Sequence, residues 1–170
     1  MTAMAATIYF FLTLPILFYV IFSDLRYMRI FNWTNIALFA LFFPPAFFLF
    51  DLTTIGWQMV VTLIVLAISF ALNFVGLMGG GDSKFLAAAT PYILINDATQ
   101  ALTLMFAFVV TSISVLIAHR VLYLVPSFRA RVADWVSWNH PKFAGRPAFP
   151  FGVILAGTVS GYLFIQAFIS

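Results

Sequence analysis

The sequence lacks cysteine and has very few charged residues. Its 170 residues include no cysteine, five acidic residues that are all aspartate, and eight Lys or Arg residues. The absence of cysteine excludes a disulfide scaffold and a thiolate metal site. Charged residues make up 8% of the chain, whereas a soluble domain has about 25%. This chain therefore cannot cover a folded core with a water-exposed surface.

Apolar residues dominate instead. They make up 64% of the chain, and the mean hydropathy is +1.10. Intrinsic disorder requires low hydrophobicity and is excluded as well. These values predict an integral membrane protein in contact with the lipid bilayer. We interpret the net charge of +3 as a sign of membrane topology and not of nucleic-acid binding, because basic residues collect in cytoplasmic loops.

The pattern of apolar stretches along the chain predicts an all-α polytopic membrane protein of about six transmembrane helices in a single domain, residues 1–170. A spanning helix needs about 20 mainly apolar residues, and fewer when its ends are anchored at the interface. The second and fourth candidates are short and contain proline. The six predicted spans are Ala3 to Ser23, Ile36 to Phe50, Ile55 to Met78, Phe85 to Ile95, Ala101 to Val125 and Ala148 to Ile169.

The distribution of basic residues predicts the orientation of these spans. All eight Lys and Arg residues fall in the first, third and fifth loops when Arg120, near the end of the fifth span, is counted with the fifth loop, whereas the second and fourth loops carry only Asp51 and Asp97 as charged residues. By the positive-inside rule, the odd-numbered loops are cytoplasmic and both termini lie on the outer side.

The fifth loop, residues 126–147, has an apolar stripe of its own. Phe128, Val132, Trp135 and Val136 recur at helical spacing, while Arg129 and Arg131 point elsewhere. The stripe predicts a short amphipathic helix on the cytoplasmic membrane surface, with Trp135 and Trp138 at headgroup level. Its role is either a surface anchor or a platform that helps to dock a substrate.

Two aspartates are candidates for catalysis. Asp51 and Asp97 lie in short outer loops, and Asp134 lies among arginines, so ordinary surface roles explain these three. Asp24 follows the first span and Asp82 follows the third, and the two intervening spans bring both to the same face. Two carboxylates in a partly dry site share a proton, so that one activates water and the other acts as an acid.

Gly79, Gly80 and Gly81 immediately precede Asp82. Glycines weaken a helix, permit positive φ and allow another backbone to approach closely. Irregular backbone at membrane depth requires a surrounding of protein or a water-filled cavity. We therefore expect the glycines to present Asp82 to a cleft. A loop or a helix contact is the alternative for the glycines taken alone.

These residues resemble a known family. Gly79 to Asp82 matches the Gly-x-Gly-Asp signature of intramembrane aspartic proteases, and Ser83-Lys84 extends it as in bacterial type IV prepilin peptidases. Asp24-Leu25-Arg26 with Ile30, Asn32 and Trp33 is similar to the family's first aspartate motif, in which Phe31 replaces a proline. Pro150-Phe151-Gly152-Val153 resembles a Pro-Tyr-Gly-Val motif, with Phe151 in place of tyrosine.

The resemblance implies the activity. It identifies Asp24 and Asp82 as catalytic, with Gly79, Gly80, Gly81 and Lys84 as a supporting motif; Arg26, Asn32, Pro150 and Gly152 contribute to substrate binding or packing. The short first loop and the absence of paired cysteines are typical of the peptidase-only form of tight-adherence (Flp) pilus systems. The resemblance implies cleavage of a membrane-inserted prepilin at the cytoplasmic face of the bacterial inner membrane. It also implies that both termini of this chain are periplasmic and that no cofactor is needed.

Other residues carry weaker signals. His119 and His140 lack a second ligand at metal spacing, so no metal site is predicted. Gly157 and Gly161 have the spacing of a close helix contact, and Asn73 is expected to have a packing role. The oligomeric state is not predicted. Two other functions stay open: a small proton-coupled transporter, and a non-catalytic pilus-assembly subunit.

Overall fold

A computed structural model describes residues 1–139 and 148–169, and no strand occurs among them. Five helices are long and apolar enough to cross a membrane, which confirms the all-α polytopic membrane fold. Two shorter helices and a 3-10 turn complete the described part. In chain order the elements are α1 (Ala3–Tyr27), α2 (Asn32–Leu49), α3 (Leu52–Phe74), α4 (Gly80–Ala89), a 3-10 turn (Thr90–Tyr92), α5 (Ala98–Leu124), α6 (Pro126–Arg131) and α7 (Phe151–Phe168).

The predicted fourth span is broken. Helix α4 has 10 residues, about 15 Å of helix, which is half the thickness of the hydrocarbon core. Pro91 lies in the 3-10 turn that follows, and the chain then continues without regular structure to Asp97. Residues 90–94 of this segment lie inside the protein: the Tyr92 hydroxyl donates to the Leu38 carbonyl at 2.6 Å, and the Tyr162 hydroxyl donates to the Leu94 carbonyl at 2.8 Å. The bond from Tyr162 satisfies a backbone carbonyl of the segment that lipid would leave unpaired.

Helix α7 lies at the centre of the bundle. It packs against α1, α4 and α5 and has the largest buried share of the five long helices. The predicted close contact at Gly157 and Gly161 is present and is made with α5. A Cβ at Gly157 would lie 2.6 Å from the Thr111 methyl group, and a Cβ at Gly161 would lie 3.7 Å from Ala107 Cβ.

An aromatic cluster packs between α1, α2 and the 3-10 turn at the end of the bundle opposite Asp24. The Tyr9 ring stacks on Phe42 and meets Tyr92 edge-on, with ring centroids 5.6 and 5.0 Å apart. The Tyr9 hydroxyl donates to the Phe42 carbonyl at 3.0 Å. Because these side chains are fully buried, they fix how α1 and α2 pack.

Helix α1 is longer than predicted. It continues through Asp24 and ends at Tyr27, so that Asp24 lies in its last turn. Met28 terminates the helix in the left-handed conformation, with φ of 52°. Only residues 28–31 connect α1 to α2, so the two helices form a tight hairpin beside Asp24.

The predicted surface helix of the fifth loop is shorter than its apolar stripe. Helix α6 ends at Arg131 because the chain beyond it binds the end of α1: the Val136 and Ser137 N–H groups donate to the Arg26 and Leu25 carbonyls at 2.9 and 3.2 Å. Trp138 is buried and stacks on His119, so its ring packs within the protein and is not exposed on a surface helix. His140, Lys142 and Arg146 lie outside the described residues.

Candidate active site

Asp24 is buried where the end of α1 meets the beginning of α7. Its side chain is 5% exposed, and its Oδ2 accepts a hydrogen bond from the Val153 N–H at 3.1 Å. The Gly152 N–H also interacts with the carboxylate. The first N–H groups of a helix have no partner within it, and they carry partial positive charge. The beginning of α7 therefore stabilises a negative charge on Asp24.

Gly152 makes this approach possible. A Cβ at this position would lie 2.9 Å from Asp24 Cγ and 2.9 Å from Ile30 Cδ1, which is closer than non-bonded carbon atoms come. Pro150 is the N-cap of α7 and immediately precedes the segment that contacts the carboxylate. The structure therefore places the predicted Pro150 and Gly152 beside Asp24.

Asp82 lies in the first turn of α4, three residues after the N-cap Gly79. Its carboxylate accepts a hydrogen bond from the Gly79 backbone N–H, as an acidic side chain at this position does in a capping box. Partial burial raises the pKa of Asp82 above its ordinary value, and the hydrogen bond from Gly79 offsets part of that rise.

The three glycines serve close approach and not positive φ. Among the described residues the one glycine with positive φ is Gly76, in the preceding turn, so the triplet does not use the positive φ that glycine permits. A Cβ at Gly79 would lie 2.7 Å from Asp82 Oδ2, and one at Gly81 would lie 3.4 Å from the Ile30 backbone oxygen. A Cβ at Gly80 would meet only Asn73, at 3.7 Å. Gly79 is therefore the tight position of the triplet, and the contacts at Gly80 and Gly81 are ordinary ones.

Hydrogen bonds that sequence reasoning missed fix α4 to α3. The Ser83 hydroxyl donates to the Ser69 carbonyl at 2.9 Å, and the Ser69 hydroxyl donates to the Ser83 carbonyl at 3.2 Å. Asn73 donates to the Met78 carbonyl at 2.7 Å, so it shapes the turn before Gly79 and does not bridge helices across the bundle. The sequence feature that could have indicated this contact is the pair Ser69 and Ser83, which lie on the two segments that flank the glycine triplet.

Both aspartates line one open cleft of about 410 Å³, and their carboxylates interact electrostatically. The glycine triplet lies along the same cleft as the α1–α2 connection. The side chains of Arg29, Phe31, Asn32, Phe149 and Phe151 also line this cleft. The cleft is large enough to admit an extended peptide backbone and water, and it offers two carboxylates to them.

The remaining predicted residues fall into two groups. The Lys84 ammonium donates to Asn32 Oδ1 at 2.9 Å, so these two lie together at the edge of the cleft. Arg26 turns to the surface, where it lies 3.8 Å from Asp134 in an exposed ion pair that contributes little to stability.

The other carboxylates have structural partners. Asp51 accepts from the Thr54 N–H at 3.0 Å and Asp97 from the Gln100 N–H at 2.8 Å, so they are the N-caps of α3 and α5. The hydrogen bonds from Thr54 lower the pKa of Asp51. Within residues 1–139 and 148–169, no three His, Cys, Asp or Glu residues are grouped as metal ligands.

Comparison with known proteins adds one finding. A sequence model described as the type IV leader peptidase family matches residues 11–122. The matched range contains both Asp24 and Asp82, and it ends before α7. No curated protein and no solved structure matches the chain.

Proposed function

Because the chain belongs to the type IV leader peptidase family, and is therefore a peptidase, we propose that it is an aspartic endopeptidase that uses Asp24 and Asp82 to cleave prepilin leaders. The observation that carries this proposal is the cleft that both carboxylates line. They come from α1 and α4 and are far apart in the sequence, so the whole bundle is needed to place them together.

The proposed mechanism uses the pair as an acid and a base. Two carboxylates that share a site do not both ionise easily, so the pair holds one proton. The ionised member takes a proton from water as the water oxygen attacks the scissile carbonyl carbon. The protonated member donates to the amine that leaves when the C–N bond breaks. The backbone N–H groups of Gly152 and Val153 hold the Asp24 carboxylate in place throughout.

The substrate of the proposal is a membrane-inserted Flp-type prepilin, cut at the cytoplasmic face of the bacterial inner membrane. The cleft lies at the end of the bundle that carries Arg26, Arg29 and Lys84, which the positive-inside rule assigns to the cytoplasm. The α1–α2 connection of only residues 28–31 leaves no room for an additional domain there, as expected for the peptidase-only form.

The test is cleavage in proteoliposomes. Purified protein is reconstituted with a Flp-type prepilin, and leader removal by the wild type is compared with Asp24→Asn and Asp82→Asn. Both variants should lose cleavage by a factor of at least about 1,000, because asparagine keeps the shape but cannot transfer the proton. Asp51→Asn is the matched control, since Asp51 caps α3 at the opposite end of the bundle, and it should keep wild-type cleavage.

Full cleavage by either site variant would overturn the mechanism. The two other functions predict different results. A proton-coupled transporter should take up solute into the vesicles without cutting any peptide, and an assembly subunit should support normal pili when both aspartates are replaced.

A further inference from the structure

An apolar groove adjoins the cleft on the side of the bundle. Helices α2, α3 and α4 form its walls, and its volume is about 480 Å³. Asn32 lines both the cleft and the groove, so the two meet at this residue. Lys84 lies where they join and donates to Asn32.

Two polar side chains in the wall of this groove are buried without a partner. Asn35 is 6% exposed and Thr62 is 7% exposed, and both line the groove. Neither the amide nitrogen and oxygen of Asn35 nor the hydroxyl of Thr62 has a hydrogen-bond partner within the part of the chain that the structure describes. Buried polar groups are nearly always paired, so each such group calls for an explanation.

Thr62 differs from other threonines in the helices of this protein. The hydroxyls of Thr13, Thr103 and Thr158 donate to the carbonyl four residues earlier, at 2.8, 2.9 and 2.7 Å. That bond is the usual solution for a helical threonine. The Thr62 hydroxyl lacks it and is therefore available to a ligand after a change of side-chain rotamer.

We infer, on the basis of the proposed function, that this groove binds the beginning of the substrate's hydrophobic segment, with Asn35 and Thr62 as hydrogen-bonding residues for its backbone. The backbone around the scissile peptide bond must be extended for cleavage, whereas the hydrophobic segment beyond it is helical in lipid. At the change from extended to helical chain, the first N–H groups of the substrate helix have no partner. Lipid cannot satisfy them, but amide and hydroxyl groups can.

The dimensions of the groove agree with this role. Its wall on α2 runs from Asn32 to Phe39, which is about 10 Å at 1.5 Å per residue. It thus accommodates about seven residues of substrate helix beyond the cut. Asn35 lies one turn of α2 below Asn32, near the depth at which that helix would begin.

A second apolar cavity provides an internal comparison. It lies between α4, α5 and α7, has a volume of about 390 Å³, and also adjoins the cleft through Phe151. Thr158 lines it, but the hydroxyl of this residue already donates to the Ile154 carbonyl. The cavity therefore has no known unpaired group to offer a substrate backbone, and we assign the substrate to the first groove.

Crosslinking tests this assignment directly, because the chain has no cysteine of its own. In the Asp82→Asn background, single cysteines are introduced as Leu66→Cys in the groove, Met105→Cys in the second cavity and Leu116→Cys on the exposed surface of α5. A prepilin with one cysteine about four residues beyond the cut, roughly one helical turn, should crosslink to Leu66→Cys preferentially. Equal or stronger crosslinking at either other position, with cleavage by the wild type intact, would overturn the groove assignment.

Kinetics of two further variants separates binding from damage to the fold. Asn35→Leu and Thr62→Val should each raise KM for the prepilin about 3- to 10-fold with kcat nearly unchanged. Their thermal stability should stay equal or rise, because an unpaired buried polar group is removed. Thr103→Val on exposed α5 is the control. Unchanged KM in both variants would contradict the inference, whereas preferential crosslinking at Leu66→Cys together with no cleavage by the wild type would refute only the proposed function.

Discussion

At the scale of single residues, the site depends on positions where a side chain is absent. Asp24 is buried, and a buried carboxylate is costly unless hydrogen bonds compensate it. The compensation comes from backbone N–H groups at the beginning of α7, and they reach the carboxylate only because Gly152 has no Cβ. Asp82 depends on Gly79 in the same way. Glycine therefore sets the positions of both carboxylates.

The glycine triplet yields a graded prediction. Gly79→Ala should displace the Asp82 carboxylate, because its Cβ would lie 2.7 Å from Asp82 Oδ2. A misplacement of about 1 Å can cost on the order of 100-fold in rate, so this variant should lose prepilin cleavage to about that extent. Gly80→Ala and Gly81→Ala should keep activity within a few-fold, since each Cβ would make only ordinary contacts, with Asn73 and Ile30 respectively. Initial rates of leader removal in proteoliposomes measure all three.

The three variants are matched, because each adds one methyl group to neighbouring positions. Equal loss at all three would show that helix propensity or general strain, and not the close approach of Gly79 to Asp82, controls the site. Protein yield and thermal stability in detergent identify a variant that fails to fold.

At the scale of helices, Gly157 allows α7 to pack closely against α5. Gly157→Ala should destabilise the protein by about 1–3 kcal/mol through overpacking, because its Cβ would lie 2.6 Å from the Thr111 methyl group. Gly161→Ala, one turn later, should be neutral or slightly stabilising. Adding Thr111→Ser to Gly157→Ala removes the colliding methyl group and should restore most of the loss. Thermal unfolding in detergent measures the series, and a Gly157→Ala protein as stable as the wild type would contradict the contact.

The helix ends show where local pattern was insufficient. The sequence predicts a stop at Ser23, because the polar residues that follow favour water over lipid. The structure continues α1 for another turn, since α7 and the chain after α6 supply hydrogen-bond partners for Asp24 and for the last carbonyls of α1. Predicting the end of a helix from polar residues assumes that water is their only hydrogen-bond partner. In this protein, distant segments of the chain supply those partners instead.

At the scale of the whole molecule, the fold class could be predicted but the contacts between distant segments could not. The fold class and the common face of Asp24 and Asp82 follow from hydropathy and the count of spans. The contact between Asp24 and Val153 joins residues 129 positions apart, and no local pattern contains it. Hydropathy also could not predict that the fourth span is broken, because a broken segment inside the bundle is as apolar as a short spanning helix.

The orientation of the molecule in the membrane can be tested by labelling residues at its two ends. Thr99 and Ala133 are exposed residues near opposite ends of α5, and the chain has no cysteine, so each can carry a single reactive thiol. In intact bacterial cells, a membrane-impermeant maleimide should label Thr99→Cys but not Ala133→Cys, since Ala133 lies near Arg129 and Arg131 on the side that the positive-inside rule assigns to the cytoplasm. Both should be labelled after solubilisation in detergent, which controls for reactivity. The reverse pattern would place the cleft on the outer side, where a peptidase could not act on a leader held in the cytoplasm.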